Sequence, residues 1–278
     1  MQENNKYKKI TSSSNPVIKN IKSLYRKKSR WNQERFIIEG VKSVEELLKE
    51  ENLIDYIVYS NKLLAVNEGV DLLDKIDKKD IELVHVSDNL FKEITDVENP
   101  QGIMAIVKFN LVSFKDILKN KDFLIYLDEV ADPGNMGTII RTADAFGASG
   151  IVVSEGSVDI YNPKVVRASM GSIFHVPLCY VNDEREIFEA FKREKITILA
   201  TSLKSDKFIH EVELGENTVL IIGNEARGVS EASIANADEL VKIYMSGEAE
   251  SLNAAIAASI VMYEVAINRI NEACTLQG

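Results

Sequence analysis

Cysteine is nearly absent from this chain: Cys179 and Cys274, far apart in sequence, are the only two in 278 residues. Two thiols supply neither a disulfide framework nor a four-cysteine zinc site. Histidine is as scarce, with His85, His175 and His210 scattered, so no metal centre is expected. No run approaches the roughly 20 apolar residues needed to span a bilayer, and the polar, lysine-rich first ten residues lack the apolar core of a secretion signal. A soluble, cytoplasmic protein without a membrane partner is the expectation. A three-glycine dinucleotide fingerprint is also missing, which disfavours an oxidoreductase. Base is in deficit, 33 Lys and Arg against 43 Asp and Glu for a net charge of -10. That argues at first against a nucleic-acid partner, because phosphate binding relies on cations that release counterions.

The distribution of charge reverses that reading. Residues 1–35 carry ten bases (Lys6, Lys8, Lys9, Lys19, Lys22, Arg26, Lys27, Lys28, Arg30 and Arg35) against Glu3 and Glu34, a net of +8 that leaves -18 for the rest. The asymmetry suggests an end that faces a polyanion, although a solvated lysine-rich helix face has the same composition.

Asn15-Pro16 has the form of an N-cap followed by proline at the first helical position, and Val17, Ile21 and Leu24 keep helical spacing beyond it. A basic amphipathic helix therefore begins the chain. Strands are expected at Arg35–Glu39, 56–59, 83–86 and 102–109, with a helix over 41–49 whose Val44, Leu47 and Leu48 face inward. This alternation describes a small α/β domain. A linker helix is expected over 113–122, and the boundary is placed near residue 112, giving domains of 1–112 and 113–278. From Phe123 the apolar runs FLIYLD, IVVS, ITILA and VLIIG are short and continuous, as suits parallel strands covered on both faces. Ligands of such sheets sit at the carboxyl ends of the strands.

Three segments there carry chemistry. In the first, Asp128 to Gly150, Asp132-Pro133-Gly134 turns into a helix with an apolar stripe of Met136, Ile139, Ile140, Ala143 and Phe146, closed by Gly147. Asn135, Thr138, Arg141 and Thr142 are left on its polar side. Unpaired amides at the helix start and an arginine just under two turns inside suit an anion, though an ordinary strand-turn-helix corner has the same form. In the second, Leu220 to Ser230, Gly223 and Gly228 bracket Glu225. This nearly spells a phosphate-binding P-loop, but Val229 stands where the lysine must be, which disfavours a nucleotide triphosphatase. In the third, Val241 to Ile267, a strand is expected to end near Met245. Gly247 breaks it, and Ser251 or Asn253 opens a helix dense in Ala254, Ala255, Ala257 and Ala258, against which something packs closely.

Together the three segments resemble the SpoU or TrmH family of RNA ribose methyltransferases within the SPOUT superfamily. Asn135, Gly137 and Arg141 match its first motif; Gly223, Glu225 and Gly228 match the second; Gly247 with Ser251-Leu252-Asn253 matches the third. RFIIEGVKSVEELL, Arg35 to Leu48, looks like the family's substrate-binding domain. One departure is Tyr244, between Ile243 and Met245, where the family usually has proline. The resemblance implies an α/β chain with a trefoil-knotted, parallel-sheet catalytic domain behind a small RNA-binding domain. It further implies a homodimer whose active site draws on both subunits, and S-adenosylmethionine as cofactor.

Gly223, Ile243, Met245 and Leu252 would line the cofactor, with Thr201 a neighbouring candidate. Arg141 would activate the ribose 2′-hydroxyl. A guanidinium is not deprotonated at neutral pH, so its assigned role is stabilising the developing alkoxide and clamping a phosphate. Asn135 would orient the nucleotide, Glu225 would hold the loops or substrate, and Ser251 and Asn253 would complete the pocket. Lys27, Lys28, Arg30 and Arg35 are the expected RNA contacts, with Trp31 or Phe36 as stacking candidates that core packing explains better. Ribosomal RNA is the expected substrate, most specifically 23S. The alternatives are ribose or base methylation of transfer RNA, or an RNA-binding or resistance protein that keeps the fold without catalysis.

Overall fold

The computed structural model of the chain describes residues 6–212 and 217–275. It divides into two units: the chain up to Asn110 together with Tyr161–Phe174, and Leu111–Ile160 together with the chain from His175 onward.

The first unit runs β1 (Tyr7–Ile10), α1 (Pro16–Ser23), α2 (Lys27–Gln33), β2 (Arg35–Glu39), α3 (Val41–Leu47), β3 (Ile54–Tyr59), α4 (Gly69–Asp77), β4 (Glu82–Val86), α5 (Asp88–Ile94) and β5 (Ile103–Lys108). Its sheet has the order β1-β4-β3-β5-β2, with β1, β4 and β3 parallel and β5 antiparallel to both its neighbours. Asn15 caps α1 by accepting from Val17 N at 2.9 Å. Ile18, Ile21 and Leu24 are buried against Phe91 and Ile94 of α5 and the inward residues of the sheet.

Strand β1 precedes the helix that was expected to begin the chain. Its Tyr-Lys-Lys-Ile sequence has little strand character by itself. It forms at the sheet edge beside β4, where Lys8 pairs with Glu82 at 2.8 Å, and Lys6 just before it pairs with Asp77 at 3.3 Å. Two of the expected RNA contacts are also engaged internally. Arg30 is 2% exposed and donates from Nη1 to Leu24 O at 2.8 Å, so it packs the α1–α2 corner instead of facing a phosphate. Arg35 is half-buried and ion-paired with Asp55. Phe36 is fully buried, and Trp31 rests edge-on against Phe109.

The second unit continues with α6 (Phe114–Ile117), β6 (Phe123–Leu127), α7 (Pro133–Ala145) and β7 (Gly150–Ser154); α8 (Pro163–Ser169) lies in the segment that belongs to the first unit. Then come β8 (Leu178–Val181), α9 (Glu184–Arg193), β9 (Thr197–Thr201), β10 (Thr218–Ile222), α10 (Glu231–Asn236), β11 (Glu239–Val241) and α11 (Ala254–Thr275). The expected linker helix shrinks to the single turn of α6, capped by Ser113.

All six strands are parallel in the order β11-β9-β10-β6-β7-β8. Every residue of β6, β7 and β10 is buried, the expected signature of strands covered on both faces. From β6 the chain builds outward through β7 and β8, then crosses to the other side for β9, β10 and β11. The order therefore reverses between β6 and β10, which stay paired to their last residues, with Asp128 N donating to Ile222 O at 2.8 Å just beyond, so the loops after the two strands leave the sheet side by side.

Candidate functional site

One carboxylate joins the loops after β6 and β10. Glu225, in the loop after β10, accepts from the backbone N–H groups of Ala131 (3.1 Å) and Asp132 (3.0 Å) in the loop after β6, and from Asn135 Nδ2 (3.0 Å). Partial burial opposes its charged form, but the Asn135 amide and the N–H groups of Glu225 itself, Ala131 and Asp132 outweigh burial and hold its carboxyl below the usual range. Asn135 Oδ1 in turn accepts from Asn253 Nδ2 at 2.9 Å. Asn253 Oδ1 caps α11 by accepting from Ala255 N and Ile256 N at 2.9 and 3.3 Å. One hydrogen-bonded line thus ties together the loops after β6 and β10 and the start of α11.

By its sequence the start of α7 suits an external anion or an ordinary strand-turn-helix corner. The structure fills it: Glu225 takes the loop amides just before the helix, and Asp132 Oδ1 takes Asn135 N at 2.8 Å. A carboxylate supplied by the chain itself satisfies the helix dipole. Asn135, placed on the polar face by its spacing, is only 9% exposed with both ends of its amide engaged, so it ties loops together instead of reaching outward.

The loop after β10 depends on its glycines. Asn224 and Gly228 exchange backbone hydrogen bonds at 2.9 and 2.8 Å, closing a tight turn with Gly228 at φ +72°. A side chain at Gly223 would drive into the backbone of Gly228 and Val229. Buried Asp128 anchors the far side by accepting from Ser230 N at 2.8 Å.

Beside this loop lies a cavity of about 410 Å³. Thr201, Gly223, Ile243, Met245 and Leu252, the five residues expected to line a cofactor, all line it. The strand expected to reach Met245 stops at Val241, and from Ile243 to Leu252 no backbone group bonds to another described residue. Their N–H and C=O groups are available to a ligand. Ala254, Ala257 and Ala258 line the opposite wall, so the alanine-dense helix leaves room for a ligand as well as for a packing partner. Apolar side chains that suit a planar base, open backbone groups that suit its edge, and a volume within the small-ligand range fit S-adenosylmethionine. Sequence reasoning missed Lys204, Arg227 and Lys242, which also line the cavity; isolated cations in loops give no periodic signal. Arg227 is ion-paired with Glu129.

Of the remaining expected residues, Ser251 lines the cavity and is exposed, whereas Arg141 does not line it. Arg141 lies on an exposed stripe of α7 with Gly134, Thr138 and Ala145, and has no ion pair among the described residues. Lys27 and Lys28 stand exposed at the start of α2 in the first unit, next to exposed Arg26, and none of the three is paired among the described residues. Among the described residues no helix is long and apolar enough to cross a membrane, and no group of three His, Cys, Asp or Glu could hold a metal ion.

Residues 122–263 match the SpoU rRNA Methylase family, and residues 15–105 match the MRM3-like substrate binding domain. The chain is 33% identical over 258 residues to the 23S rRNA (guanosine(2553)-2′-O)-methyltransferase RlmP of Bacillus subtilis, covering 93% of this chain and 99% of that one. It also resembles the crystal structure of an AdoMet-bound rRNA methyltransferase from Sinorhizobium meliloti, with 32% identity, a TM-score of 0.79 and coverage of 93% and 97%. The SpoU methyltransferase AviRb from Streptomyces viridochromogenes, in complex with AdoMet, superposes with a TM-score of 0.82 at 29% identity, covering 92% of this chain and 98% of that one. With both halves matched and nearly the full length shared, the chain belongs to the SpoU rRNA methylase family.

Proposed function

We propose that the protein transfers a methyl group from S-adenosylmethionine to a ribose 2′-hydroxyl of 23S ribosomal RNA, in the cytoplasm. The observation that carries this reading is the cavity at the carboxyl ends of β9 and β10, lined by all five expected cofactor residues and flanked by the Glu225–Asn135–Asn253 line. Bound there, S-adenosylmethionine supplies an electrophilic methyl on a sulfonium sulfur. The chain's own task is then positioning and electrostatics. Gly223, Ile243 and Leu252 hold the nucleoside through backbone groups, and Ile243 and Met245 exclude water from it. Glu225, Asn135 and Asn253 fix the relation of the loops that frame the cavity. Ser251, exposed at the rim, offers a hydroxyl to the incoming ribose.

Arg141 does not line the cavity of its own chain, so we assign it to the cavity of a second copy in a homodimer. Its exposed stripe on α7 adjoins a second exposed stripe on α11, Ile256, Tyr263 and Ile270, through the Thr142–Ser259 hydrogen bond (3.1 Å) and the Phe146–Tyr263 ring contact. Both stripes need a cover, and a twofold contact provides it. There Arg141 stabilises the alkoxide that develops as the hydroxyl loses its proton and clamps the adjoining phosphate. The trefoil knot implied by the family resemblance belongs to the same reading. The test is transfer of labelled methyl to ribosomal RNA followed by nuclease digestion. Label on ribose is the expected result, and label on base would overturn the reading. Arg141→Ala should lower turnover by at least about a hundredfold while cofactor affinity is kept, since removing a transition-state donor costs that much.

A further inference from the structure

The rim of the cavity carries side chains that the mechanism above leaves unused. Ile243 and Met245 line the cavity, while Tyr244 between them is 65% exposed. Its ring meets Phe208 edge-on, with centroids 5.6 Å apart and planes at 75°. Phe208 stacks in parallel on His210, at 5.7 Å and 4°, and Lys242 Nζ lies 4.9 Å from the centre of the Phe208 ring. The backbone fixes this group, because Lys242 N donates to Lys207 O and Ile209 N donates to Lys242 O, both at 3.0 Å. Leu203, 64% exposed, and Lys204 continue the rim.

Aromatic faces interleaved with lysines beside a cavity form the surface on which single-stranded nucleic acid binds: bases stack on the rings and phosphates meet the cations. Beside Phe208, Tyr244 stays 65% exposed, enough for a base to stack on its ring. Proline, which the resemblance leads one to expect at position 244, offers no such face. We propose that this ledge receives the RNA strand, with a nucleobase next to the target ribose stacked on Tyr244 and the flanking phosphates against Lys242 and Lys204. The inference rests on the proposed ribose methylation and names the groups that seat its substrate.

The test compares the wild-type protein with Tyr244→Phe and Tyr244→Ala. Methyl transfer to unmodified 23S ribosomal RNA transcript gives KM for RNA, equilibrium dialysis gives affinity for S-adenosylmethionine, and anisotropy of a short fluorescein-labelled oligoadenylate gives strand affinity without catalysis. The alanine variant should raise KM for RNA and weaken oligoadenylate binding by about tenfold. Cofactor affinity should be unchanged, and the phenylalanine variant should match wild type. Unchanged RNA and oligoadenylate binding in the alanine variant would overturn the proposal. So would a parallel loss of cofactor affinity, which would place Tyr244 in the cofactor wall, or a change in solution mass, which would make it a contact between copies. If wild type methylates no ribose, the proposed activity fails, and the oligoadenylate titration still decides whether the ledge binds a strand.

Discussion

Three donors of the loop after β6 and the start of α7 converge on Glu225, and of these the Asn135 amide is the buried one. Glu225→Gln offers one acceptor oxygen and turns an N–H toward either the Ala131 N–H or the donors of Asp132 and Asn135, so the carboxylate's hold on the loop weakens, at about 1–3 kcal/mol where the loss falls on the buried Asn135 amide. The variant should melt several degrees lower in a thermal scan and transfer methyl at less than a tenth of the wild-type rate. Glu39 poses a different problem. Burial raises its carboxyl to about 7, against the lowering effect of Thr95 Oγ1, which donates to it at 2.7 Å; Asp96 adds to the rise and Arg167 opposes it. The folded chain therefore holds a proton there between about pH 4.5 and 7 that the unfolded chain releases, and this part of the stability is present at low pH and lost as pH rises through 7. Glu39→Gln should remove that loss, gaining up to about 3 kcal/mol over wild type between pH 5 and 8. Denaturant melts across that range would show the gap widen; a constant gap would contradict it. That Gly223, Glu225, Asn135 and Asn253 gather at the strand ends was legible in the sequence, because glycine and polar residues interrupt the apolar runs there. Arg30 was misread because a chain of letters gives its charge but not the direction of its stem.

Among the elements, β6, β7 and β10 were readable because their runs are apolar on both faces, and α7 because its apolar spacing, its Asp132 cap and Gly147 agree. β1 was not, and β11 was placed too late, ending near Met245 instead of at Val241: four and three residues mixing charged and apolar side chains become strands only where a neighbour offers its hydrogen bonds. Helix α11 was readable as a helix but ambiguous in its partners, since small residues suit a ligand, a packed helix and a second subunit alike. Its exposed Ile256, Tyr263 and Ile270 recur every seven residues on one face. Tyr263→Glu should turn a dimer into a monomer in sedimentation velocity and abolish transfer while S-adenosylmethionine still binds. A monomeric wild type would remove the second copy from the mechanism.

Over the whole molecule, the basic arm is less bare than its composition suggests. Lys6, Lys8, Lys22 and Arg35 hold acidic partners and Arg30 is buried; Lys9 and Lys19 stand exposed apart from one another, and Arg26, Lys27 and Lys28 form one exposed cluster without an ion pair among the described residues. Changing these three to Gln should weaken RNA binding and reduce the slope of log K against log salt by about 2, given roughly 0.7 counterions released per phosphate contact. Filter binding over a salt series would read it, and an unchanged slope would move the interface elsewhere. The first unit has a further property that its order along the chain conceals. Tyr161 stacks on Phe109 at 3.9 Å and meets Phe36 at a tilt at 4.4 Å, and Arg167 pairs with Asp96 at 2.7 Å, so the rings of Phe36 and Phe109 are covered by a segment, Tyr161–Phe174, that comes later in the chain. During translation the growing polypeptide must therefore hold those rings uncovered while some fifty further residues leave the ribosome exit tunnel. A fragment cut at residue 112 would keep those rings uncovered permanently, making it more prone to precipitate unless that later segment is restored.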